Sequence, residues 1–240
     1  MEKSKNDFSF LFMMPLRGIM GGKMNKIISI SEAVDKVKDG MTIMVGGFLA
    51  NGTPERLIDA LVEKGVKNLT LICNDTGFPD RGVGKMVVAK QFKRIIVSHI
   101  GTNPETANQM NSGETIVELV PQGTLAERVR CAGTGLGGVY TPTGIGTEVE
   151  IGKEKKVING IEYILELPLK ADVALLFGSV VDKKGNIVFN KTMKNFNPIM
   201  AMAADTVIVD AEKVVEIGEI DPENVMTSGI FVDYVVGGDM

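Results

Sequence analysis

The sequence is poor in the residues on which metal sites and nucleophilic catalysis usually depend. It contains one histidine, His99, and two cysteines, Cys73 and Cys131, which lie far apart and form no C-x-x-C pair. Zinc-binding and redox motifs are therefore not indicated, and no multi-histidine set predicts a metal site. Both cysteines lie in apolar surroundings, so we expect reduced core residues and a cytoplasmic location.

Charge and hydropathy disfavour two further classes of protein. The formal net charge of −4 argues against a general nucleic-acid binder, which usually carries a basic face. No apolar run reaches the roughly 18 residues that a membrane-spanning helix needs. With 44% hydrophobic and 23% charged residues, the composition is typical of a soluble globular protein, and we expect neither a nucleic acid nor a membrane as its partner.

The first 23 residues precede the first clearly patterned segment of the chain. Their apolar patch at Phe8–Met14 is short for a secretory signal, and no small-residue cleavage site follows it. We therefore predict an N-terminal extension at residues 1–23 and a single domain at residues 24–240. A surface-packed arm is the alternative interpretation of the extension.

Apolar runs typical of strands alternate with amphipathic runs typical of helices about every 12–20 residues in the first half of the chain. One predicted helix begins after a Ser31 cap and ends at Gly40. The second half is less regular, with a long predicted loop at residues 133–149 and a hairpin that turns at Asn159 and Gly160. This order predicts an α/β fold with a mostly parallel, mixed sheet flanked by helices.

Four segments at the carboxyl ends of the predicted strands are small, polar or rich in glycine. Ligands in open α/β sheets bind beyond these ends, where backbone N–H groups and the positive ends of helices meet an anion or a carbonyl oxygen. Asp75 is the best-placed acid among them. The alternative is that these segments only form the turns that any α/β protein needs. The segments are Gly46–Phe48, Asn74–Gly77, Ser98–Asn103 and Pro121–Thr124.

The most specific of these segments lies in DGMTIMVGGFLANGTP, residues 39–54, where a predicted strand passes through Gly-Gly-Phe into a helix. Glycine permits positive φ and close approach of a ligand, so the stretch is either a tight turn or a cradle for a phosphate-bearing ligand. It is not a Walker loop, because no Lys-Ser/Thr follows Gly52. A second motif, Gly133, Gly135 and Gly138, has the spacing of a dinucleotide site but follows a helix. We interpret it as a helix stop and a mobile loop over the site.

No residue pattern predicts a nucleophile in this chain. A lone histidine at a strand end, here His99, is more often structural, and no Ser/His/Asp order or Cys/His pair is present. Glu127 and Glu166 fall on amphipathic patterns, which indicates solvated or ion-paired side chains. An anion site without a nucleophile is an incomplete active site, so we expect a second chain to complete it.

The glycine stretch resembles the first signature of the family I coenzyme A transferases. The resemblance covers residues 24–236 and is to the α subunits of the family. It continues through SHIGTNPET, VPQGTLAERVR, GGVYTPTGIGT and KNFNPIMAMAAD. It implies a fold class that is shared with sugar-phosphate isomerases. The signature positions are occupied by Asp39, Gly40, Gly46, Gly47, Phe48, Gly52 and Pro54.

The resemblance implies an enzyme that moves coenzyme A between an acyl-CoA and a short-chain carboxylic acid. In the family, a glutamate of the β subunit forms an acyl-glutamyl anhydride and then a glutamyl-CoA thioester, with ping-pong kinetics. By this resemblance the chain acts only with a β subunit, in an α2β2 assembly. Coenzyme A is then a substrate, and no cofactor is permanently bound.

Two elements of the site follow from the resemblance. Gln122 of the PQGT motif corresponds to the oxyanion-hole residue, whose amide donates to a developing negative charge. The loop corresponds to the coenzyme A-binding segment, in which Asn51 is the distinctive polar side chain. The predicted coenzyme A-binding residues are Gly46, Gly47, Phe48, Leu49, Ala50, Asn51 and Gly52.

Two other hypotheses stay open from the sequence. A sugar-phosphate isomerase or sugar-phosphate-binding module of related fold would use the same glycine rim, with Asp75 and His99 as its acid/base pair. A purely structural subunit would use the glycine loop only as a turn.

Overall fold

The computed structural model describes residues 25–237 of the chain. The extension predicted at residues 1–23 lies outside these residues, and the single-domain boundaries at residues 24–240 stay a prediction. No helix in the described part is both long and apolar enough to span a lipid bilayer. The helices are α1 Ile30–Val34, α2 Glu55–Lys64, α3 Gly84–Val88, α4 Pro104–Ser112, α5 Gln122–Thr134 and α6 Asn197–Met202. The strands are β1 Thr42–Val45, β2 Leu69–Ile72, β3 Phe92–Val97, β4 Ile116–Leu119, β5 Val139–Thr141, β6 Lys155–Ile158, β7 Ile161–Glu166, β8 Ala171–Asp182, β9 Ile187–Val188, β10 Ala204–Val215 and β11 Tyr234–Val236.

Eight strands form the central sheet, in the order β11-β10-β8-β1-β2-β3-β4, with β9 added to β8. All neighbours along this order are parallel, and β9 pairs with β8 in the antiparallel sense. Helices cover the sheet, which confirms the predicted α/β fold with a mostly parallel, mixed sheet. The order also places the carboxyl ends of β1, β2, β3 and β4 next to one another along one edge.

The two faces of the central sheet carry separate hydrophobic cores, as the alternation along β1 shows. Ile43 and Val45 lie in the same core as Leu61 of α2. Met44, between them, lies in the opposite core with Met200 of α6. Successive side chains of a strand point to opposite faces, so a strand buried on both faces reads as a continuous apolar run. This is why the sequence pattern identifies β1.

A second, three-stranded antiparallel sheet, β5-β7-β6, contains the predicted hairpin as β6 and β7, whereas β5 is not predicted by the sequence pattern. Its hairpin turn is confirmed at Asn159 and Gly160, whose φ angles of 52° and 79° suit a type I′ turn. The loop predicted at residues 133–149 is only partly a loop, because Val139–Thr141 pairs with β7. Gly135, with φ of 72°, ends α5 as predicted.

The prediction for α1 is wrong at both ends. Ser29 caps the helix, since its hydroxyl accepts from the Glu32 backbone N–H at 3.2 Å and the Glu32 carboxylate accepts from the Ser29 backbone N–H at 2.9 Å. This reciprocal capping box satisfies two donors at once, whereas Ser31 lies inside the helix. The helix ends at Val34, well before Gly40.

Candidate functional site

Hydrogen bonds join the segments that follow β2, β3 and β4 at the carboxyl edge of the sheet. Ser98 Oγ donates to Asn74 O at 2.7 Å, and Thr102 Oγ1 donates to Gly77 O at 2.6 Å. Gln122 Nε2 donates to Asn74 Oδ1 at 2.7 Å. The predicted segments therefore form one polar rim, to which the glycine loop after β1 is attached.

The loop after β1 is a tight reverse turn with Leu49 and Ala50 at its tip. Phe48 and Asn51 exchange backbone hydrogen bonds at 3.0 and 2.9 Å, and the two tip residues have φ angles of 48° and 65°. Residues other than glycine rarely adopt this left-handed region, at a cost on the order of 1–3 kcal/mol each, so neighbouring groups must fix the turn. The Leu49 N–H contributes by donating to Asp75 Oδ2 at 2.9 Å.

The glycines at the start of the loop are explained by packing inside the chain. A Cβ at Gly46 would overlap Asn197 Oδ1, and a Cβ at Gly47 would overlap Thr53 Oγ1. Gly47 also has φ of 126°, which L side chains rarely adopt. Both glycines are buried and the accessible part of the loop is the tip at residues 48–51, so coenzyme A binding by residues 46–52 stays a prediction.

Two asparagines hold the loop in this conformation. Asn197, which is fully buried, donates to Gly52 O at 3.0 Å. Asn195 accepts from the Gly47 N–H at 3.2 Å and donates to Asn51 O at 3.0 Å. Reasoning from the sequence missed this role. The available signal was the Asn-Phe-Asn triplet inside KNFNPIMAMAAD, a segment already noted for its resemblance.

A chain of buried polar groups connects the loop to Gln122. The Asn74 amide, which accepts from Gln122, donates to Asp75 Oδ2 at 2.7 Å, and the same carboxylate oxygen accepts from the Leu49 N–H. Asp75 Oδ1 accepts from the Gly77 N–H at 2.8 Å. Asn74 and Asp75 are only 2% and 5% exposed. A glutamine amide has two N–H donors, and within the described residues one of them is used by Asn74, so the other can donate to a ligand.

The N-terminus of α5 lies beside Gln122, and within residues 25–237 no side chain caps it. At α4, by contrast, the Asn103 side chain accepts from the Glu105 N–H at 3.2 Å. At α2 the Asp210 carboxylate accepts from the Arg56 N–H at 3.0 Å. Of these three helices, α5 is the one whose first N–H groups are free for a ligand. Its dipole favours negative charge next to the Gln122 amide.

The groups around Gln122 offer no activated nucleophile among the residues that the structure describes. The Cys73 thiol donates to Asp75 O at 2.8 Å, and burial raises the pKa of this thiol well above its usual range, so it stays neutral. Asp75 has both oxygens engaged by hydrogen bonds. His99 is exposed and shares only a backbone bridge with Asp75. No cluster of metal-ligating side chains occurs in the described part of the chain.

Glu127 and Glu166 form ion pairs within the chain, and Cys131 lies in the core. Glu127 is ion-paired with Arg130, as predicted. Glu166 is also ion-paired, with Lys153 and Arg128, but it is 1% exposed rather than on a solvated face. This buried pairing joins β7 to α5. Cys131 is a buried free cysteine, as predicted.

A cavity of about 630 Å³ opens beside the tip of the loop. The loop supplies one wall, in which Phe48 is 40% exposed. The turn that precedes α6 supplies the other wall. The lining residues are Phe48, Leu49, Asn51, Lys191, Thr192, Lys194 and Asn195.

Residues 27–238 match the protein family described as Coenzyme A transferase. The chain therefore belongs to this family. The match covers both the glycine loop and the Gln122 motif, and it confirms the resemblance that those residues carry.

Curated relatives fall within the same class. The chain is 54% identical over 212 residues to the acetoacetyl-CoA:acetate/butyrate CoA transferase alpha subunit of Clostridium acetobutylicum, with 88% of this chain and 97% of that protein covered. It is 49% identical over 211 residues to the acetate CoA-transferase subunit alpha of Escherichia coli K12, with 88% and 96% covered. These relatives are transferases, and they give no support to the sugar-phosphate alternative.

Solved structures share the fold. An acyl-CoA transferase from Escherichia coli O157:H7, crystallised as a thioester complex with CoA, has a TM-score of 0.82 at 24% identity, with 88% of this chain and 47% of that chain covered. Glutaconate coenzyme A-transferase from Acidaminococcus fermentans has a TM-score of 0.74 at 21% identity, with 88% and 75% covered. The chain thus spans about half the length of the first of these structures.

Proposed function

We propose that this chain is the α subunit of a coenzyme A transferase that acts only together with a β subunit. The substrates are a short-chain acyl-CoA, such as acetyl-CoA or acetoacetyl-CoA, and a carboxylate such as acetoacetate, butyrate or acetate. The relatives named for these substrates are matched over nearly their whole length, which supports the assignment.

One observation carries the proposal: a directed amide donor lies at a rim that has no nucleophile within the described residues. Gln122 is held by Asn74, and Asn74 is held by Asp75. The α5 N-terminus beside Gln122 is free of a capping side chain in the same part of the chain. This arrangement can stabilise an oxyanion that forms when a carboxylate from another chain attacks a thioester.

In the proposed reaction, a β-subunit glutamate attacks the thioester carbonyl, and the negative charge on the carbonyl oxygen is stabilised by Gln122. Collapse of this tetrahedral intermediate expels the coenzyme A thiolate and leaves an acyl-glutamyl anhydride. The thiolate then attacks the glutamyl carbonyl and releases the first carboxylate, which gives a glutamyl-CoA thioester. The acceptor acid reverses these steps. Coenzyme A is a substrate throughout, and no resident cofactor is needed.

The loop tip contributes the coenzyme A-binding surface in this proposal. Phe48, Leu49, Ala50 and Asn51 face the cavity or solvent, whereas Gly46, Gly47 and Gly52 shape the turn from inside. Asp75 holds the tip through the Leu49 N–H, and Asn197 holds the end of the loop through Gly52 O. In this proposal the loop is both a turn that contacts inside the chain fix and the surface that binds coenzyme A.

The isomerase alternative lacks its acid/base pair in this geometry. Asp75 is 5% exposed, and each of its oxygens accepts from a backbone N–H. His99 lies at the surface and meets Asp75 only through backbone. For Asp75 to exchange a proton with His99, the hydrogen bond between the Leu49 N–H of the loop and Asp75 would first have to break.

Assembly and location are part of the same proposal. The relatives are named as alpha subunits, which supports a β-subunit partner, and we propose an α2β2 complex in the cytoplasm. Sedimentation of the co-expressed chains tests the stoichiometry. A mass equal to two copies of each chain supports it, and any other ratio contradicts it.

Activity of the separate and combined chains tests the function. The chain is purified alone and with a coenzyme A transferase β subunit, and acetoacetyl-CoA consumption is followed with acetate as acceptor. We expect turnover only in the complex, because this chain supplies the donor and the loop but no nucleophile. Transferase activity of this chain alone would contradict the proposal.

A further inference from the structure

Two lysines face the cavity beside the loop tip. Lys191 and Lys194 begin and end a short 3-10 turn, and both side chains are exposed. The next residue, Asn195, donates to Asn51 O at 3.0 Å and accepts from the Gly47 N–H at 3.2 Å. The turn that carries the lysines is thus joined directly to the loop.

Neither lysine forms an ion pair with a carboxylate of residues 25–237. Lys64, Lys85 and Lys183, in contrast, each pair with an acid. The cavity lining contains no aspartate or glutamate at all. In a chain whose net charge is −4, two neighbouring cations without counter-charge mark a place where an external anion is favoured.

The lysines and Gln122 lie on opposite sides of the loop. The lysines follow β9, which is paired with β8 on one side of β1. The Gln122 amide reaches Asn74, at the end of β2 on the other side of β1. Neighbouring strands lie about 4.8 Å apart, so a ligand that meets both places must be elongated along the carboxyl edge of the sheet.

We propose that Lys191 and Lys194 bind the phosphate groups at the 3′-phospho-ADP end of coenzyme A while the thioester lies at Gln122. This assignment rests on the proposed function and names the part of the substrate that the cavity takes. Ammonium groups are compact donors that suit pyrophosphate and phosphate oxygens. The volume of about 630 Å³ is that of a site for an organic ligand rather than a single ion, and Phe48 adds an apolar wall.

The kinetic test uses a double variant, Lys191→Ala with Lys194→Ala, in complex with the β subunit. Its substrates are acetoacetyl-CoA and acetoacetyl-pantetheine, which keeps the thioester but has no nucleotide phosphates. We expect KM for acetoacetyl-CoA to rise about tenfold, as for the loss of two solvent-exposed ion pairs, and KM for acetoacetyl-pantetheine to stay unchanged. An equal rise for both thioesters, or no rise for either, would overturn the assignment.

A matched control removes the same charge from the opposite edge of the sheet. Lys38 precedes β1 and Lys93 is the second residue of β3, and both are exposed. The double variant Lys38→Ala with Lys93→Ala is expected to leave both KM values unchanged. A tenfold rise for acetoacetyl-CoA in this control would show that net charge, rather than the cavity, determines affinity, and would overturn the assignment.

A binding measurement separates failure of this inference from failure of the proposed function. The α/β complex is titrated with 3′-phospho-ADP in a calorimeter, which requires no turnover. We expect wild type and the control variant to bind equally and the Lys191/Lys194 variant to bind about tenfold more weakly. Equal binding by all three overturns the lysine assignment even if the complex is an active transferase. Weaker binding by that variant supports the assignment even if transferase activity is absent.

Discussion

Gln122 shows how a flexible amide becomes a directed donor. Its contact with Asn74 uses one N–H and orients the other, and Asn74 is itself oriented by the buried Asp75. The same Asp75 carboxylate fixes the Leu49 N–H in the turn. A donor that is already oriented needs no reorganisation when charge develops on a substrate oxygen, and that is what makes such donors effective.

Gln122→Ala is expected to lower kcat about 10²–10³-fold with nearly normal coenzyme A binding, because an oxyanion donor acts mainly in the transition state. Steady-state kinetics of the α/β complex measures this. Asn108→Ala removes an exposed amide from the neighbouring helix α4 and is the matched control, with no change expected. Unchanged turnover in Gln122→Ala would remove Gln122 from the mechanism.

Gly46→Ala is expected to destabilise the chain by about 2–4 kcal/mol, because the new Cβ would overlap Asn197 Oδ1 and displace the amide that holds Gly52. Urea unfolding measures the change in free energy. Gly137→Ala is the control, since no atom lies within 4 Å of a Cβ there. If both substitutions had the same small effect, the packing explanation of Gly46 would be wrong.

Residues that act through local chemistry could be identified from the sequence, and residues that act through distant contacts could not. The glycine loop and the PQGT motif each lie within one short segment. Asn197, by contrast, is 145 positions from Gly52, and Gln122 is 48 positions from Asn74. No periodicity or turn signal encodes such pairs, because they are brought together only when the strands assemble.

The same distinction holds for whole elements. Helix α2 carries local signals, namely an apolar stripe and Gly65, which ends the helix with φ of 70°. Strands β5 and β11 are three residues long each and exist because β7 and β10 pair with them. Strand formation at this length depends on the partner strand more than on local propensity.

Glu118 links strand β4 to its neighbours by ion pairs that weaken at low pH. Its carboxylate accepts from Arg94 on β3 and from Arg128 on α5. Burial alone would raise the pKa of Glu118, but the hydrogen bonds and charges of the two arginines outweigh burial and lower it. The resulting stability is fully present above the unfolded-state pKa and is lost as pH falls through the lower folded-state pKa.

Glu118→Gln is therefore expected to reduce the free energy of unfolding by about 1 kcal/mol at pH 7, with the difference from wild type narrowing as pH falls below 4.5. Urea unfolding across this pH range measures it. Glu114→Gln, which breaks an exposed pair with Lys90, is the control and should change stability little. A constant difference at every pH would show that the contact is not electrostatic.

At the scale of the whole molecule, the proposed function makes one edge of the sheet a binding edge that another chain completes. It spans 47% of the acyl-CoA transferase structure from Escherichia coli O157:H7, while it spans nearly all of the curated alpha subunits. The central sheet places the loop, the cavity and Gln122 along one edge, and the described residues of that edge include no activated nucleophile. We therefore expect this chain to supply the oxyanion donor and the loop, and the other chain to supply the nucleophile.

Intact-mass spectrometry of the α/β complex tests most directly whether the nucleophile lies on the β subunit. The complex is incubated with acetoacetyl-CoA without an acceptor acid, so that acetoacetate is released and the glutamyl-CoA thioester accumulates. The account predicts a coenzyme A adduct on a glutamate of the β subunit and an unmodified α chain. A coenzyme A or acyl adduct on this chain would contradict it.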